Sequence, residues 1–283
     1  MPLADRRFPL LLILPAAFLA AGLYFRAAAG PFWQWHLLDP AYFYLLDALN
    51  VMAGETPGHS YHPGITVSAF GALVLRLRDL GTPGADIAAA ALARPEAYLA
   101  SLSTVYLALN AVLLVGLGVA ARRAFDAVTP ALACQLAPFL SSIVLKHAFL
   151  PKPEAMLVAT TLALMTVAVA ALRTDRPVRL AVAFGVIAGF GVATKVTAAP
   201  IFALPLFVIA GWRPRAIYVA AAAAAFVAFF LPGIEALPKF AAWVARVGQG
   251  AGDFGAGPQT IIDAATYPDA VAKMLKRPAL RVP

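Results

Sequence analysis

"ITVSAFGALVLRLRDL", Ile65 to Leu80, decides how the chain is threaded. The run is apolar, but it is short for a bilayer crossing and carries Arg76, Arg78 and Asp79. A crossing takes about 20 apolar residues. Seven other runs approach or reach that length, at 8–25, 99–121, 130–149, 154–173, 179–195, 198–212 and 216–233. With the N-terminus inside, seven crossings put Arg6/Arg7, Arg122/Arg123, Arg173/Arg176/Arg179 and Arg213/Arg215 all on the cytoplasmic side. That is the bias of membrane proteins toward basic inner loops. Counting 65–80 as an eighth crossing would separate Arg6/Arg7 from the later clusters. It therefore reads as a helix lying in or dipping into the outer interface, where Arg76 and Arg78 can snorkel. The expected fold is an all-α polytopic membrane protein with about seven transmembrane helices. Residues 1–283 form one module, with a first outer loop at 27–98 that carries amphipathic interfacial helices. An outer segment at 234–283 follows the seventh span.

Composition agrees. The chain is 62% hydrophobic and 13% charged, with mean hydropathy +0.81. Soluble domains are about half apolar and a quarter charged. A net charge of +8 would suggest nucleic acid in a soluble protein. Here the basic residues sit mostly in short loops between apolar runs, so they read as topology signals and no nucleic-acid partner is expected. Cys134 is the sole cysteine, which excludes an intrachain disulfide and a cysteine-cluster metal site. Arg6, Arg7, the apolar core and the small residues at 27–30 outline a signal peptide, read here as an uncleaved first helix. "GAGDFG" at 250–255 fits a glycine-rich dinucleotide fingerprint, but no strand precedes it and it falls outside the membrane.

This threading gathers the reactive groups on one face. His36, His59, His62 and His147 are all outside, as are Asp39, Asp47, Glu55, Glu154, Lys146, Lys152 and Lys195. The inner face has arginine and little else. Any active site faces outward. Asp39-Pro40 is a favourable helix start, and the helix should run to about Met52 and stop at Gly54. Its apolar side is Ala41, Leu45, Ala48, Leu49 and Met52, with Asp39, Asp47 and Asn50 opposite. Asp39 alone fits a helix cap as well as a catalyst. His59 and His62 could hold a metal with a carboxylate, but Pro63 interrupts any regular helix, and structural or phosphate-contacting histidines fit better. "LKHAFLPKPEAML" at 145–157 concentrates Lys146, His147, Lys152 and Glu154 close to bilayer depth. Polar groups there are costly and often functional. Lys195, in "GFGVATKVTAAP", stands at an outer helix end, where it can snorkel or hold a lipid phosphate. "EALPKFAAWVARV" at 235–247 should be a second interfacial helix with Phe240, Trp243, Val244 and Val247 toward lipid. Deep polar residues are few: Asn110, Gln135, Ser141 and Ser142.

The order of "DPAY" (39–42), "HPG" (62–64), a short helix, "KPE" (152–154) between two spans and "GFGVATK" (189–195) resembles the GT-C membrane glycosyltransferases. The likeness is to the branch of protein mannosyltransferases and lipid A aminoarabinose transferases, over about residues 8–250. It implies a sugar donor on a polyprenyl phosphate and a glycan, lipid or protein acceptor. It also implies a bacterial inner membrane with the site facing the periplasm. Asp39 matches the catalytic acidic residue of the first outer loop, and Glu154 that of the second. His62-Pro63 matches a His-Pro pair, with Gly64 where relatives often have a second proline. Lys195 matches a basic residue at the fifth span's outer end. Transfer needs a base for the acceptor hydroxyl and positive charge for the phosphate. Asp39 would be the base. Lys152 and Lys195, with His147 or His62, would hold the phosphate, and Tyr42 of the DPAY motif is grouped with these substrate-binding residues. No definite cofactor is implied, and a divalent metal could replace part of this, as in some relatives. Relatives usually have more spans and often a soluble C-terminal domain, so the likeness implies a fragment or a minimal relative. The competing readings are a transporter or flippase of lipid-linked glycans and a noncatalytic membrane fragment. The catalytic reading requires Asp39, Glu154 and Lys195 to line one cavity, within about 12 Å for a pocket of ordinary size.

Overall fold

The computed structural model describes residues 7–34, 40–60, 64–248 and 265–276. His36, Asp39, His62 and the GAGDFG stretch lie outside them. Every regular element among the described residues is helical. These are α1 (Leu10–Ala28), α2 (Ala41–Ala53), α3 (Ile65–Arg78), α4 (Gly84–Ala93), α5 (Pro95–Phe125), α6 (Val128–Leu136), α7 (Ser142–His147) and α8 (Pro153–Ala171). They continue as α9 (Pro177–Thr194), α10 (Leu204–Val208), α11 (Trp212–Phe230), α12 (Leu237–Gly248) and α13 (Tyr267–Leu275). Five are long and apolar enough to cross a bilayer: α1, α5, α8, α9 and α11, the last continuing through a kink at Gly233.

The runs expected as the third and sixth crossings are not continuous α-helices. Residues 128–147 form α6, a 3-10 turn at Ala137–Leu140 and α7. Residues 196–208 form a 3-10 stretch at Val196–Ala203 and α10. Proline explains both, because it lacks an N–H and clashes with the preceding turn. Pro138 lies in the first break, where the Ser141 side chain caps the restart by accepting from the Val144 N–H. Pro200 and Pro205 lie in the second. Pro205 cannot donate to the Phe202 carbonyl, and the Tyr218 hydroxyl of α11 donates to it instead.

Helix directions follow from level-by-level contacts. A Cβ on Gly185 would meet the Tyr218 carbonyl, and one on Gly189 would lie 2.4 Å from the Ala222 carbonyl oxygen and 2.6 Å from the Phe226 nitrogen. So α9 and α11 run parallel with backbones touching, which is the use of small residues between membrane helices. Likewise Asn110 donates to the Ala155 carbonyl (3.2 Å), and Arg173 Nε to that of Ala124 (2.8 Å), so α5 and α8 run parallel. Between each parallel pair the chain retraces its path, along 128–152 and 196–211. By contrast α1 runs against α5, with Gly22 at Leu107 and Leu11 packed with Ala121.

Asn110 and Gln135, the deep polar residues, are both fully buried. Asn110 donates to carbonyls of Tyr106 and Ala155 and reaches that of Ala148, while Gln135 donates to those of Leu11 and Leu114. They tie helices together.

Asn110 stands at the level of α8's first turn. The half of α5 that precedes it, about 20 Å long at 1.5 Å per residue, carries a layer made of α2, α3 and α4. As expected, α2 stops at Gly54 (φ 85°) and buries Ala41, Leu45, Ala48 and Leu49. It also buries Asp47, which was expected on its polar side. The Asp47 carboxylate accepts from the N–H groups of Gly58 (2.7 Å) and His59 (3.2 Å), so it organises the turn after α2. Arg76 and Arg78 do more than snorkel. Arg76 donates to the Met52 carbonyl, and Arg78 donates to Ala97 and Ser101 and stacks 3.8 Å over the Tyr98 ring. Phe240 and Trp243 of α12 face inward, packed with Ile65 and Phe230, where lipid-facing positions were expected. Val244 is exposed as expected.

Candidate functional site

The start of α8, the end of α9 and the start of α3 meet at one place. Pro153 starts α8 with Glu154 in its first turn, where the helix dipole favours an acidic group. Lys195 follows the last residue of α9, and its ammonium donates to Glu154 Oε1 at 2.5 Å. Both side chains are about three-quarters buried. The Gly64 N–H donates to the Thr194 carbonyl (3.1 Å), and the hydroxyls of Thr66 and Thr194 lie 2.6 Å apart. Gly64 is therefore held against the residue before Lys195. Gly64 has φ +71°, a conformation proline cannot adopt.

Lys152 is 5% exposed and precedes α8, and His147 ends α7. His147 Nδ1 and Glu154 Oε2 are both buried without a hydrogen-bond partner. They stand at the head of a cleft of about 510 Å³. Its wall runs down α8 through Leu157, Val158, Thr161, Met165 and Val169, a length of about 22 Å from Glu154. Leu117 of α5 and Cys134, Pro138 and Ile143 of the broken segment close the other side. The break at Ala137–Leu140 borders this space. The cleft has a polar head at His147 and Glu154, with Lys195 bound to Glu154, and an apolar body.

Glu154 and Lys195 thus meet directly, with His147 and Lys152 beside them. Tyr42 lies elsewhere, on α2, and donates its hydroxyl to Glu96. Asp39 and His62 lie outside the described residues; Glu154 and Lys195 are in direct contact, and of the two Glu154 lines the cleft. Among the described residues no group of three or more His, Cys, Asp or Glu side chains is placed to hold a metal.

Glu96 was not singled out in the sequence. It sits in the first turn of α5 and accepts from the N–H groups of Phe32 (2.9 Å) and Trp33 (3.3 Å) as well as from Tyr42. One carboxylate therefore ties down both flanks of the segment that contains Asp39. Burial, the hydrogen bond and the Glu96 charge push the Tyr42 hydroxyl up to about 12, so it stays a donor at neutral pH. A signal existed in the sequence: Arg94-Pro95-Glu96-Ala97 and Lys152-Pro153-Glu154-Ala155 are the same pattern, and each opens a long helix.

These features define a helical integral membrane protein with a recessed polar site at one end of its bundle. Compared with known proteins, the chain matches no family model, no curated protein and no solved structure.

Proposed function

We propose that the chain is a GT-C-type glycosyltransferase. It moves a sugar from a polyprenyl-phosphate donor to an acceptor hydroxyl at the periplasmic face of a bacterial inner membrane. The observation that carries this reading is the apolar cleft headed by His147 and Glu154, with Lys195 bound to Glu154. A lipid-linked sugar phosphate has the matching shape: a long apolar tail and an anionic head. The parallel pairs α5/α8 and α9/α11 support seven passages of the membrane, because the chain must return between the members of each pair.

In this mechanism the acceptor oxygen attacks the anomeric carbon as the bond from that carbon to the phosphate oxygen breaks. Asp39 takes the acceptor proton, a role worth about 10²–10⁴ in rate. The polyprenyl phosphate leaves with the bonding pair, and Lys195, Lys152 and His147 or His62 neutralise it. Lys195 would then lie between the Glu154 carboxylate and the phosphate, so Glu154 holds the ammonium in place before the donor arrives.

The test is made in the native host, by mass spectrometry of envelope glycans and glycolipids. Deletion of the gene should remove one sugar from one species, and Asp39→Asn and Lys195→Met should reproduce that loss at unchanged protein level. Phe207→Ala, at an exposed apolar position, should not. Intact glycans in the deletion strain would overturn the proposal.

A further inference from the structure

Two polar atoms at the head of the α8 cleft are left over by the fold. His147 Nδ1 and Glu154 Oε2 are both buried without a hydrogen-bond partner, and both residues line the same space. Glu154 lies close enough to act on His147 through its charge. The other half of the carboxylate is engaged, because Oε1 accepts from the Lys195 ammonium at 2.5 Å. As the partner of an ammonium Glu154 is a carboxylate, and a carboxylate oxygen only accepts. Oε2 therefore needs a donor. A neutral imidazole has a donor on one nitrogen and an acceptor on the other, so Nδ1 needs a partner in either tautomer. Among the described residues the cleft wall supplies neither. Ile143 and Val144, one turn before His147, are apolar, and so are Leu157 and Val158, one turn after Glu154. The next hydroxyl down that wall, Thr161, is two turns along α8, about 10 Å away. Leaving buried polar atoms unpaired is costly. Two of them beside one cleft mark the place where an occupant brings hydrogen bonds of its own.

We propose, resting on the transferase reading, that Glu154 and His147 read the sugar of the lipid-linked donor. One sugar hydroxyl donates to Glu154 Oε2, and a neighbouring hydroxyl pairs with His147 Nδ1. The phosphate has no complement at Oε2, since it brings only acceptors and negative charge. Its place is on Lys195, whose ammonium keeps two N–H donors after the bond to Glu154. With His147 on the sugar, His62 is the histidine assigned to the phosphate. The same pair selects among sugars. A neutral sugar satisfies both atoms, whereas a uronic acid sets a second carboxylate against Glu154 and is rejected by like charge.

The experiment titrates the full chain in nanodiscs with four farnesyl phosphate diesters: methyl, mannosyl, glucosyl and glucuronosyl. The methyl ester has the diester charge and no sugar. Retained ligand is counted by native mass spectrometry, and thermal unfolding without ligand checks that each variant is folded. The better of the two neutral sugars should be held roughly tenfold tighter than the methyl ester, and the glucuronosyl ester no tighter than it. Lys195→Met should weaken all four. His147→Leu should remove the gain from the neutral sugar and leave the methyl ester unchanged, and His147→Gln, which can still pair with a hydroxyl, should keep most of that gain. Glu154→Gln should lift the discrimination against the glucuronosyl ester. Retention of none of the four would overturn the transferase reading itself. Equal retention of methyl and sugar esters, or a His147→Leu loss equal for both, would overturn the sugar assignment and leave the transferase reading standing.

Discussion

Glu96 and Glu154 occupy equivalent positions, the second residue of a proline-started helix, and each fixes a distant piece of chain. Replacing Glu96 by Ala would leave the N–H groups of Phe32 and Trp33 and the Tyr42 hydroxyl without their acceptor. On the transferase reading this misplaces Asp39 and should lower turnover about 100-fold, while Glu96→Gln, which keeps an acceptor oxygen, should retain most of it. Single-turnover kinetics on the two variants checks this. At the other pair, Lys195→Met strands a carboxylate at the head of an apolar cleft. The double variant Glu154→Gln/Lys195→Met should be more stable than Lys195→Met alone, with a coupling of about 1–3 kcal/mol in a double-mutant cycle. Burial raises the Asp47 carboxyl above its usual range despite two hydrogen bonds from backbone and the His59 charge. The proton is thus favoured in the fold. That contribution is present below the ordinary carboxylate range and is lost as pH rises through the raised one. Asp47→Asn, neutral at every pH and still an acceptor, should gain stability relative to the native chain between pH 4 and pH 7 in thermal unfolding. Asp47→Ala should cost about 1–3 kcal/mol, because Gly58 and His59 lose their acceptor. The Glu154–Lys195 neighbourhood was legible because both groups are expensive near bilayer depth. Asp47 was misread because its polarity pointed outward, whereas a turn 11 residues later supplies its partners.

Hydropathy located every apolar run, but it averages over a stretch and does not register which carbonyls lack a donor. That is why 130–149 and 198–212 looked like ordinary helices, although Pro138, Pro200 and Pro205 were in plain view. The repair at Phe202 comes from Tyr218, which no local pattern could announce. Tyr218→Phe should therefore cost about 1–3 kcal/mol, the penalty of an unsatisfied buried carbonyl, read as a lower unfolding temperature in detergent. Contact between α9 and α11 is set by small residues. Gly189→Val would drive side-chain carbons into the backbone at Ala222 and Phe226, which cannot yield without parting the helices. A loss of at least about 1–3 kcal/mol is expected, and Gly116→Val, where a Cβ would meet nothing within 4 Å, serves as the control. For α12 the period was read correctly and the facing was not: Phe240 and Trp243 cover Ile65 and Phe230, so the aromatic side turns to the bundle.

The proposed seven passages make a definite statement about sidedness. In a Cys134→Ser background, single cysteines at Asp175 and Ala210 should react with an impermeant reagent from the same side, because α9 and α11 start together. A cysteine at Pro151 should react from the opposite side. Labelling of Asp175 and Ala210 from opposite faces would remove the sixth passage. The 3-10 stretch at 196–203 also bears on how the protein is made. A passage with two prolines and a carbonyl that depends on Tyr218 has few hydrogen bonds of its own to bring into lipid. On the proposed threading it cannot commit to the bilayer until Tyr218 of α11, 16 residues beyond Phe202, has been synthesised. Biogenesis should then be ordered: 196–208 alone should fail to insert in a translocon glycosylation assay, and α9 to α11 together should insert as a unit. Tyr218→Phe should weaken that joint insertion, which ties the choice of one hydroxyl to the sequence of events at the ribosome.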